Sequence, residues 1–394
     1  MKTVRAAALG AVVLVAACSL PNVGLWDGRG QADTGLYSQY GARIADGALP
    51  YRSGFSIEFP PGAIPPLAIP ALPGSHYVAW FKAFELLCGI AAVAAVAFAL
   101  AETPASRRYG AVAVAAVAPA ALGPIVLNSF DLWPAALAAW GVALTVRGRP
   151  RWGLALLGAA TAAKLYPVLL APALLTLIVR EQGRREARLA FAAGATIFAA
   201  IFLPFAALAP GGLKYALQQQ ATRGLQIESL GGSILGVAHR LGAGFRVTVT
   251  HAPFSFDIAG GTAKALATVL SLVVLVAVAA SWRELVRGPA GRDRTLLGVA
   301  AAAVAFVAFA KVLSPQYLLF LVPLVPLADS VAAWMLFLLA LGLTQVWARF
   351  PGPFLALTHL GPAIWAALAR NLVLVGLYGL LLRGLRASRA TSRT

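Results

Sequence analysis

Charged residues are scarce in this chain. They make up 12% of its 394 residues, about half of the roughly 25% found in soluble domains. Apolar runs long enough to span a bilayer recur as far as the C-terminus. The shortage of charge argues against a soluble fold. It predicts an all-α polytopic membrane protein, since the short alternating strands of a β-barrel are not seen.

Cysteine and histidine are also scarce, which limits metal and disulfide chemistry. The two cysteines, Cys18 and Cys88, cannot form a disulfide framework or a metal site. The four histidines are scattered and lack an HxxxH or HxxE spacing. We therefore expect no metal and no other cofactor.

Acidic residues are outnumbered, with 14 Asp and Glu against 32 Lys and Arg, which gives a net charge of +18. Such an excess can indicate nucleic-acid binding. Here most basic residues lie in short loops and tails between apolar runs, as the positive-inside rule describes. The pattern predicts cytoplasmic basic loops beside anionic lipid and no nucleic-acid partner.

The first 20 residues, "MKTVRAAALGAVVLVAACSL", have two interpretations. A basic start and an apolar run are typical of a signal peptide, and "VAAC" resembles a lipoprotein cleavage site at Cys18. We favour a retained first helix, because a chain with many later spans needs no cleaved signal. Lipidation of Cys18 stays open.

The apolar runs predict about twelve membrane or re-entrant segments in one domain over residues 1–394, with both termini inside. Residues 21–73 and 210–262 form two external loops, and residues 383–394 form a cytoplasmic tail. Residues 152–179 have basic flanks on both sides. This stretch should therefore enter and return, with a break at "KLYP", where Pro167 disfavours a helical Tyr166.

Polar residues outside the basic loops gather on the outer side of this topology. Asp33 precedes an amphipathic stretch and is either a helix N-cap or a general base. Asn128 and Asp131, in the turn "NSFD", are interpreted mainly as helix caps. Tyr37, together with Tyr51 and Tyr317, suits either sugar stacking or the interfacial aromatic belt.

Five segments carry a resemblance to a known family. They are "DTGLYSQYGARIADGALPYRSGFSIEFPPGAIPP", "NSFDLWPAALAAWGVAL", "GLALLGAATAAKLYPVLLAPALL", "RGLQIESLGGSILGVAH" and "SPQYLLFLVPLVPL". In order and spacing they resemble glycosyltransferase family 87, integral-membrane enzymes of the GT-C type. Beyond "SPQY" only the hydropathy agrees. The resemblance implies a GT-C-like bundle of about 10–13 transmembrane or re-entrant helices with a large first external loop.

The resemblance also implies roles for particular residues. In GT-C enzymes an acid in the first external loop is the usual catalytic base, and Asp33 holds that place, with Glu58 as its alternative. Phosphate needs cationic partners, and the candidates are Lys164, Lys311, Arg52 and Arg223. The substrate-binding candidates are Tyr51, Glu228, Gln316 and Tyr317. For Glu228 a structural role in its loop is the alternative, and for Gln316 a place at a helix start.

The expected reaction is sugar transfer with inversion, from a polyprenyl-phosphate donor to a glycolipid or lipoglycan acceptor. The family's precedent favours mannose, with arabinofuranose possible. Composition rich in Ala, Arg and Gly is typical of a GC-rich bacterium, so a bacterial plasma membrane is expected. Because the acidic residues map to the outer loops, the site is expected on the outer face of that membrane. A transporter or lipid flippase is the alternative, but it predicts two repeated halves, and no repeat is evident in the sequence. An inactive scaffold for envelope assembly is the third function considered.

Overall fold

The computed structural model describes residues 1–21, 23–29, 32–251, 254–348 and 351–390. Within them the chain forms two compact units, which are described separately. The first comprises Met1–Ala120 and Pro124–Ala221, and the second Ala121–Gly123 and Thr222–Thr394. The single domain expected from the sequence stays a prediction.

Five described helical segments have the length and composition to cross a membrane. They are Tyr77–Ala99, Tyr166–Leu208, Gly261–Arg287, Val331–Ala348 and Ala363–Ser388. Shorter apolar helices occupy Leu132–Val146 and Pro315–Leu327. The predicted all-α polytopic class is confirmed.

The first unit contains ten helices within the described ranges. They are α1 (Lys2–Cys18), α2 (Ala32–Ala45), α3 (Ile64–Ala68), α4 (Tyr77–Ala99), α5 (Ala105–Leu122), α6 (Ile125–Asn128), α7 (Leu132–Val146), α8 (Pro150–Ala163), α9 (Ala171–Leu208) and α10 (Pro210–Ala221). Glycines let three of them pack backbone to backbone. A Cβ at Gly141 would lie 2.9 Å from the Gly153 carbonyl between α7 and α8, and one at Gly158 would strike Gly194 between α8 and α9. Small residues at membrane helix contacts serve this purpose.

The helix break predicted at "KLYP" is present. Helix α8 ends at Ala163, Lys164 is extended (φ −148°, ψ 136°), and a 3-10 turn covers Tyr166–Leu170 before α9. Helix α9 is itself interrupted at Gly183, whose φ of 87° lies outside the helical region. Arg151, near the start of α8, binds Glu186 just after this kink through two bonds of 2.8 Å. The chain therefore changes direction at the break after α8 and again at the kink in α9.

The proline-rich part of the first external loop consists of short helical turns. Two 3-10 turns, Pro61–Ala63 and Ile69–Ala71, flank α3. Each of the three elements has a proline at its first or second position, where the missing N–H costs no helical bond.

The second unit contains six helices and a small sheet among the described residues. The helices are α11 (Leu230–Arg240), α12 (Gly261–Arg287), α13 (Arg292–Phe309), α14 (Val331–Ala348), α15 (Pro351–Thr358) and α16 (Ala363–Ala390). The strands are β1 (Leu225–Gln226), β2 (Val247–His251) and β3 (Phe254–Ile258), antiparallel in the order β1-β3-β2. Ile258 of the central strand pairs with Leu225 on one side and Val247 on the other. The second external loop is therefore substantially structured.

The apolar stretch that follows Ser314 does not form one continuous α-helix. Two 3-10 turns, Pro315–Leu321 and Val325–Leu327, occupy this stretch instead. Prolines at positions 323 and 326 lie inside this stretch, and each lacks the N–H that a continuous α-helix would need.

Candidate active site

Helix α2 carries Asp33 in its first turn, half-buried, with Tyr37 one turn further along. Tyr37 is 3% exposed. Its ring centroid lies 5.5 Å from that of Phe81, 5.6 Å from Phe130 and 5.8 Å from Phe59. This packing replaces both the sugar-stacking and the aromatic-belt interpretation of Tyr37, and it fixes α2, and so Asp33, on the unit's core.

Four carboxylates lie within electrostatic range of the Tyr37 hydroxyl. Burial is the main cause that raises the pKa of the Tyr37 hydroxyl well above its ordinary value, and nearby negative charges add to the rise. These acidic residues, here called the acidic cluster, are Asp33, Asp131, Glu58 and Glu85. The two predicted base candidates, Asp33 and Glu58, are both among these carboxylates. Among the described residues no three His, Cys, Asp or Glu side chains form a metal-binding group.

Lys164 joins this cluster through Asp131. Its Nζ lies 2.5 Å from an Asp131 carboxylate oxygen and 5.1 Å above the Phe130 ring centroid. The Asp131 side chain is 1% exposed and that of Lys164 14%. The break after α8 places the ammonium here, because an extended residue 164 leaves the helix axis.

The interpretation of Asp131 as a helix cap is wrong. Asp131 is the N-cap residue of α7 by position, but its side chain makes no capping bond; its carboxylate binds Lys164. The Nδ2 of Asn128 donates to the Pro124 carbonyl at 2.9 Å, so it does not cap α7 either.

The loop that bears Glu58 is held at both ends. Gln220 Nε2 donates to the Glu58 carbonyl at 2.9 Å, and Trp133 Nε1 donates to the Gly62 carbonyl at 3.0 Å. A Cβ at Gly62 would lie 2.4 Å from the backbone nitrogen of Ala163. Glu58 and the residue before Lys164 therefore belong to one tightly packed region.

Tyr51 and Arg52 lie in the same loop but differ in burial. Tyr51 is 2% exposed, its hydroxyl donates to the Phe59 carbonyl at 2.6 Å, and its φ is +68°. Burial raises the pKa of this hydroxyl. These contacts favour a structural role for Tyr51, whose predicted sugar binding stays a prediction. Arg52 is exposed.

Four predicted site residues of the second unit are half-buried: Arg223, Lys311, Gln316 and Tyr317. The Gln226 backbone N–H donates to the Lys311 carbonyl at 3.0 Å, and Gln226 Nε2 donates to Ser314 Oγ at 2.8 Å. Strand β1 therefore holds the turn that contains Lys311 and precedes Gln316.

Glu228 lies in a buried group of polar side chains, here called the Glu228 cluster: Glu228, Trp347, Arg370 and Asn371. Trp347 Nε1 donates to Glu228 Oε1 at 2.6 Å. The Glu228 carbonyl accepts bonds from Arg370 and Asn371, and the Arg370 guanidinium lies 5.0 Å from the Trp347 ring centroid. Burial raises the pKa of Glu228 to about 7. This environment favours the structural alternative for Glu228.

Sequence reasoning missed three buried charges inside helices α4 and α16. Lys82 is 1% exposed, and its Nζ donates to the carbonyls of residues 24, 27 and 29, just before α2. Glu85 and Arg370 are fully buried. The available signal was charge within apolar spans, which is costly and seldom without a role.

These features define a class of protein: a multi-pass membrane protein with a helical GT-C fold. The crystal structure of ArnT from Cupriavidus metallidurans in the apo state is similar, with a TM-score of 0.50 and 14% identity. The alignment covers 98% of this chain and 77% of that one. At this identity the likeness shows the fold alone. No match was found among curated proteins.

The chain belongs to glycosyltransferase family 87, which matches residues 58–315. The protein is therefore a membrane glycosyltransferase, and the family takes precedence over the transporter, flippase and scaffold alternatives. The matched region includes Glu58, Asp131 and Lys164. Asp33 precedes it.

Proposed function

We propose that this protein transfers a sugar, mannose first, from a polyprenyl-phosphate donor to a glycolipid or lipoglycan acceptor. The transfer inverts the anomeric centre on the outer face of a bacterial plasma membrane. Support comes from the family, from the membrane-spanning helices, and above all from the acidic cluster beside Lys164.

Asp33 is the proposed base. It accepts the proton of an acceptor hydroxyl, whose oxygen attacks the anomeric carbon as the carbon–oxygen bond to phosphate breaks. The bonding electrons leave with the phosphate, so one displacement inverts the centre. Positioned proton transfer of this kind contributes about 10²–10⁴-fold. The half-buried place of Asp33 beside Tyr37 supports the assignment.

The departing phosphate requires positive charge. Lys164 is the leading candidate, because an ammonium at a helix break beside the acids combines charge with fixed position. A phosphate oxygen would join or displace the Asp131 carboxylate at Nζ. Lys311, Arg52 and Arg223 stay as further candidates for this role.

Glu58 is the second candidate for the base. It lies in the same acidic cluster, and its loop is held by bonds from Gln220 and Trp133. Unlike Asp33, it falls within the region that matches the family.

The test uses purified protein in liposomes with radiolabelled polyprenyl-phosphomannose and extracted envelope lipids. Asp33→Asn should lower transfer at least 10²-fold, while Asp46→Asn, an exposed acid just after α2, should stay within about 2-fold of wild type. If Asp33→Asn is undiminished and Glu58→Gln is inactive, the base is Glu58. Absence of transfer by wild type from both mannosyl and arabinofuranosyl donors would overturn the function.

A further inference from the structure

Helix α7 is capped from another helix. Glu85, on α4, is fully buried, and its Oε2 accepts the backbone N–H of Leu132, the first residue of α7, at 3.1 Å. The first N–H groups of a helix have no partner within the helix. An Asp at the N-cap position, as at 131, ordinarily supplies one from its own carboxylate.

Asp131 does not do so here, because its carboxylate is engaged elsewhere. It makes no capping bond to α7 and lies 2.5 Å from Lys164 Nζ. An N-cap side chain accepts from the second or third residue of its helix, and the third residue of α7 is Pro134, which has no N–H to offer. A carboxylate on α4 that serves the helix start leaves Asp131 available for Lys164.

We propose that Glu85 is a positioning residue for the transfer reaction. By capping α7 from α4, it keeps the Asp131 carboxylate directed at Lys164, and so keeps the ammonium where the leaving phosphate arrives. The inference rests on the proposed function for the role of Lys164. Glu85 itself touches neither sugar nor phosphate in this scheme.

Two substitutions at Glu85 separate the contribution of its hydrogen bond from that of its charge. Within the described part of the chain, Glu85 Oε1 accepts no hydrogen bond, whereas Oε2 binds Leu132. Glu85→Gln can present its carbonyl oxygen to the Leu132 N–H and place its NH₂ at the unbonded position, which keeps the cap without the charge. Glu85→Asp keeps the charge but is one methylene too short for the 3.1 Å bond.

The expected order of turnover is wild type, then Glu85→Gln within about 3-fold, then Glu85→Asp and Glu85→Met lower by about 10- to 100-fold. The acceptor KM should stay within about 2-fold, because the effect acts on the departing phosphate rather than on acceptor binding. Cys88→Ala, a buried side chain one turn further along α4, is the matched control and should retain activity.

A double-mutant cycle with Lys164→Met separates positioning from general damage. If Glu85 acts through Lys164, Glu85→Met should lower turnover no further in a Lys164→Met background. Additive losses would overturn the proposal, as would Glu85→Asp outperforming Glu85→Gln. Should Glu85→Met fail to fold, the order of Glu85→Gln and Glu85→Asp still decides.

A readout without turnover separates the two proposals. A second double-mutant cycle combines Glu85→Gln or Glu85→Asp with Asp131→Asn. Its thermal unfolding midpoints measure the coupling between Glu85 and Asp131. Strong coupling in a protein that transfers no sugar would support the capping arrangement while the proposed function fails. Independent effects on the midpoint would overturn the capping arrangement itself.

Discussion

The Asp131–Lys164 pair and the Glu228 cluster both place an acidic and a basic side chain in apolar surroundings, but the contacts between the two charges differ. Asp131 and Lys164 meet directly, and the lysine side chain keeps 14% exposure. In the Glu228 cluster, Arg370 is fully buried and donates to the backbone carbonyl of Glu228, while the carboxylate binds Trp347.

This difference separates a group suited to a ligand from one that holds the chain. In the proposed reaction, an ammonium at a helix break with partial exposure exchanges partners when a phosphate arrives. A guanidinium enclosed by Trp347 and backbone oxygen has no such freedom. Charge inside a membrane protein therefore does not by itself mark an active site; the partner and the access decide.

The comparison is most strongly tested by removing the cation from each group. Arg370→Leu should lower the free energy of unfolding by about 3–5 kcal/mol, because it leaves Glu228 as a buried carboxyl without its cationic neighbour. Turnover per folded molecule should change little. Lys164→Met should do the reverse, with turnover reduced about 10²–10³-fold, as for loss of a donor to developing charge.

Thermal unfolding in detergent and the liposome transfer assay measure the two quantities. Arg383→Leu, which removes an exposed arginine later on α16, controls for loss of charge. Equal effects of Arg370→Leu and Lys164→Met on turnover would contradict the distinction.

A smaller effect is expected from Gly62→Ala. The added Cβ would lie 2.4–2.7 Å from backbone atoms of Ala162 and Ala163, which cannot move away as a side chain could. Overpacking of this kind costs about 1–3 kcal/mol. Because it separates the Glu58 loop from the Lys164 break, turnover should fall as well. A Cβ at Gly211 would meet no atoms within 4 Å, so Gly211→Ala should change neither the unfolding midpoint nor the turnover.

The smallest effect concerns pH. Burial raises the pKa of Glu228 to about 7, from 4.5, so the folded protein binds a proton more tightly than the unfolded chain. The contribution to stability is complete below pH 4.5 and is lost as pH rises through 7. The unfolding midpoint should therefore decline between pH 5 and pH 8, and Glu228→Gln should flatten that decline. An identical profile in Glu228→Gln would exclude Glu228 as the source.

Periodicity and turn chemistry predicted several elements well. Long apolar runs are helices, as in α4, and Pro167 marked the break beside Lys164. Strands β2 and β3 and the 3-10 turns that begin at Pro315 were missed, since pairing between strands and closely spaced prolines override a hydropathy pattern.

The site was partly predictable for a related reason. Asp33, Glu58 and Lys164 stood out because each is polar where the predicted topology turns outward. Asp131 was assigned to a local cap, because a sequence shows the adjacent helix but not α8, which binds it instead. Lys82 and Glu85 lie inside α4, where their partners come from segments 47 to 58 residues away.

The sequence alone determined that this chain enters a membrane as many helices, because transfer of apolar side chains and the satisfaction of backbone groups are local properties. Which carboxylate caps a helix, which meets a lysine and which is enclosed beside an arginine was decided only by tertiary structure. Those choices depend on distances between segments far apart in the chain, which hydropathy and local turn patterns do not contain.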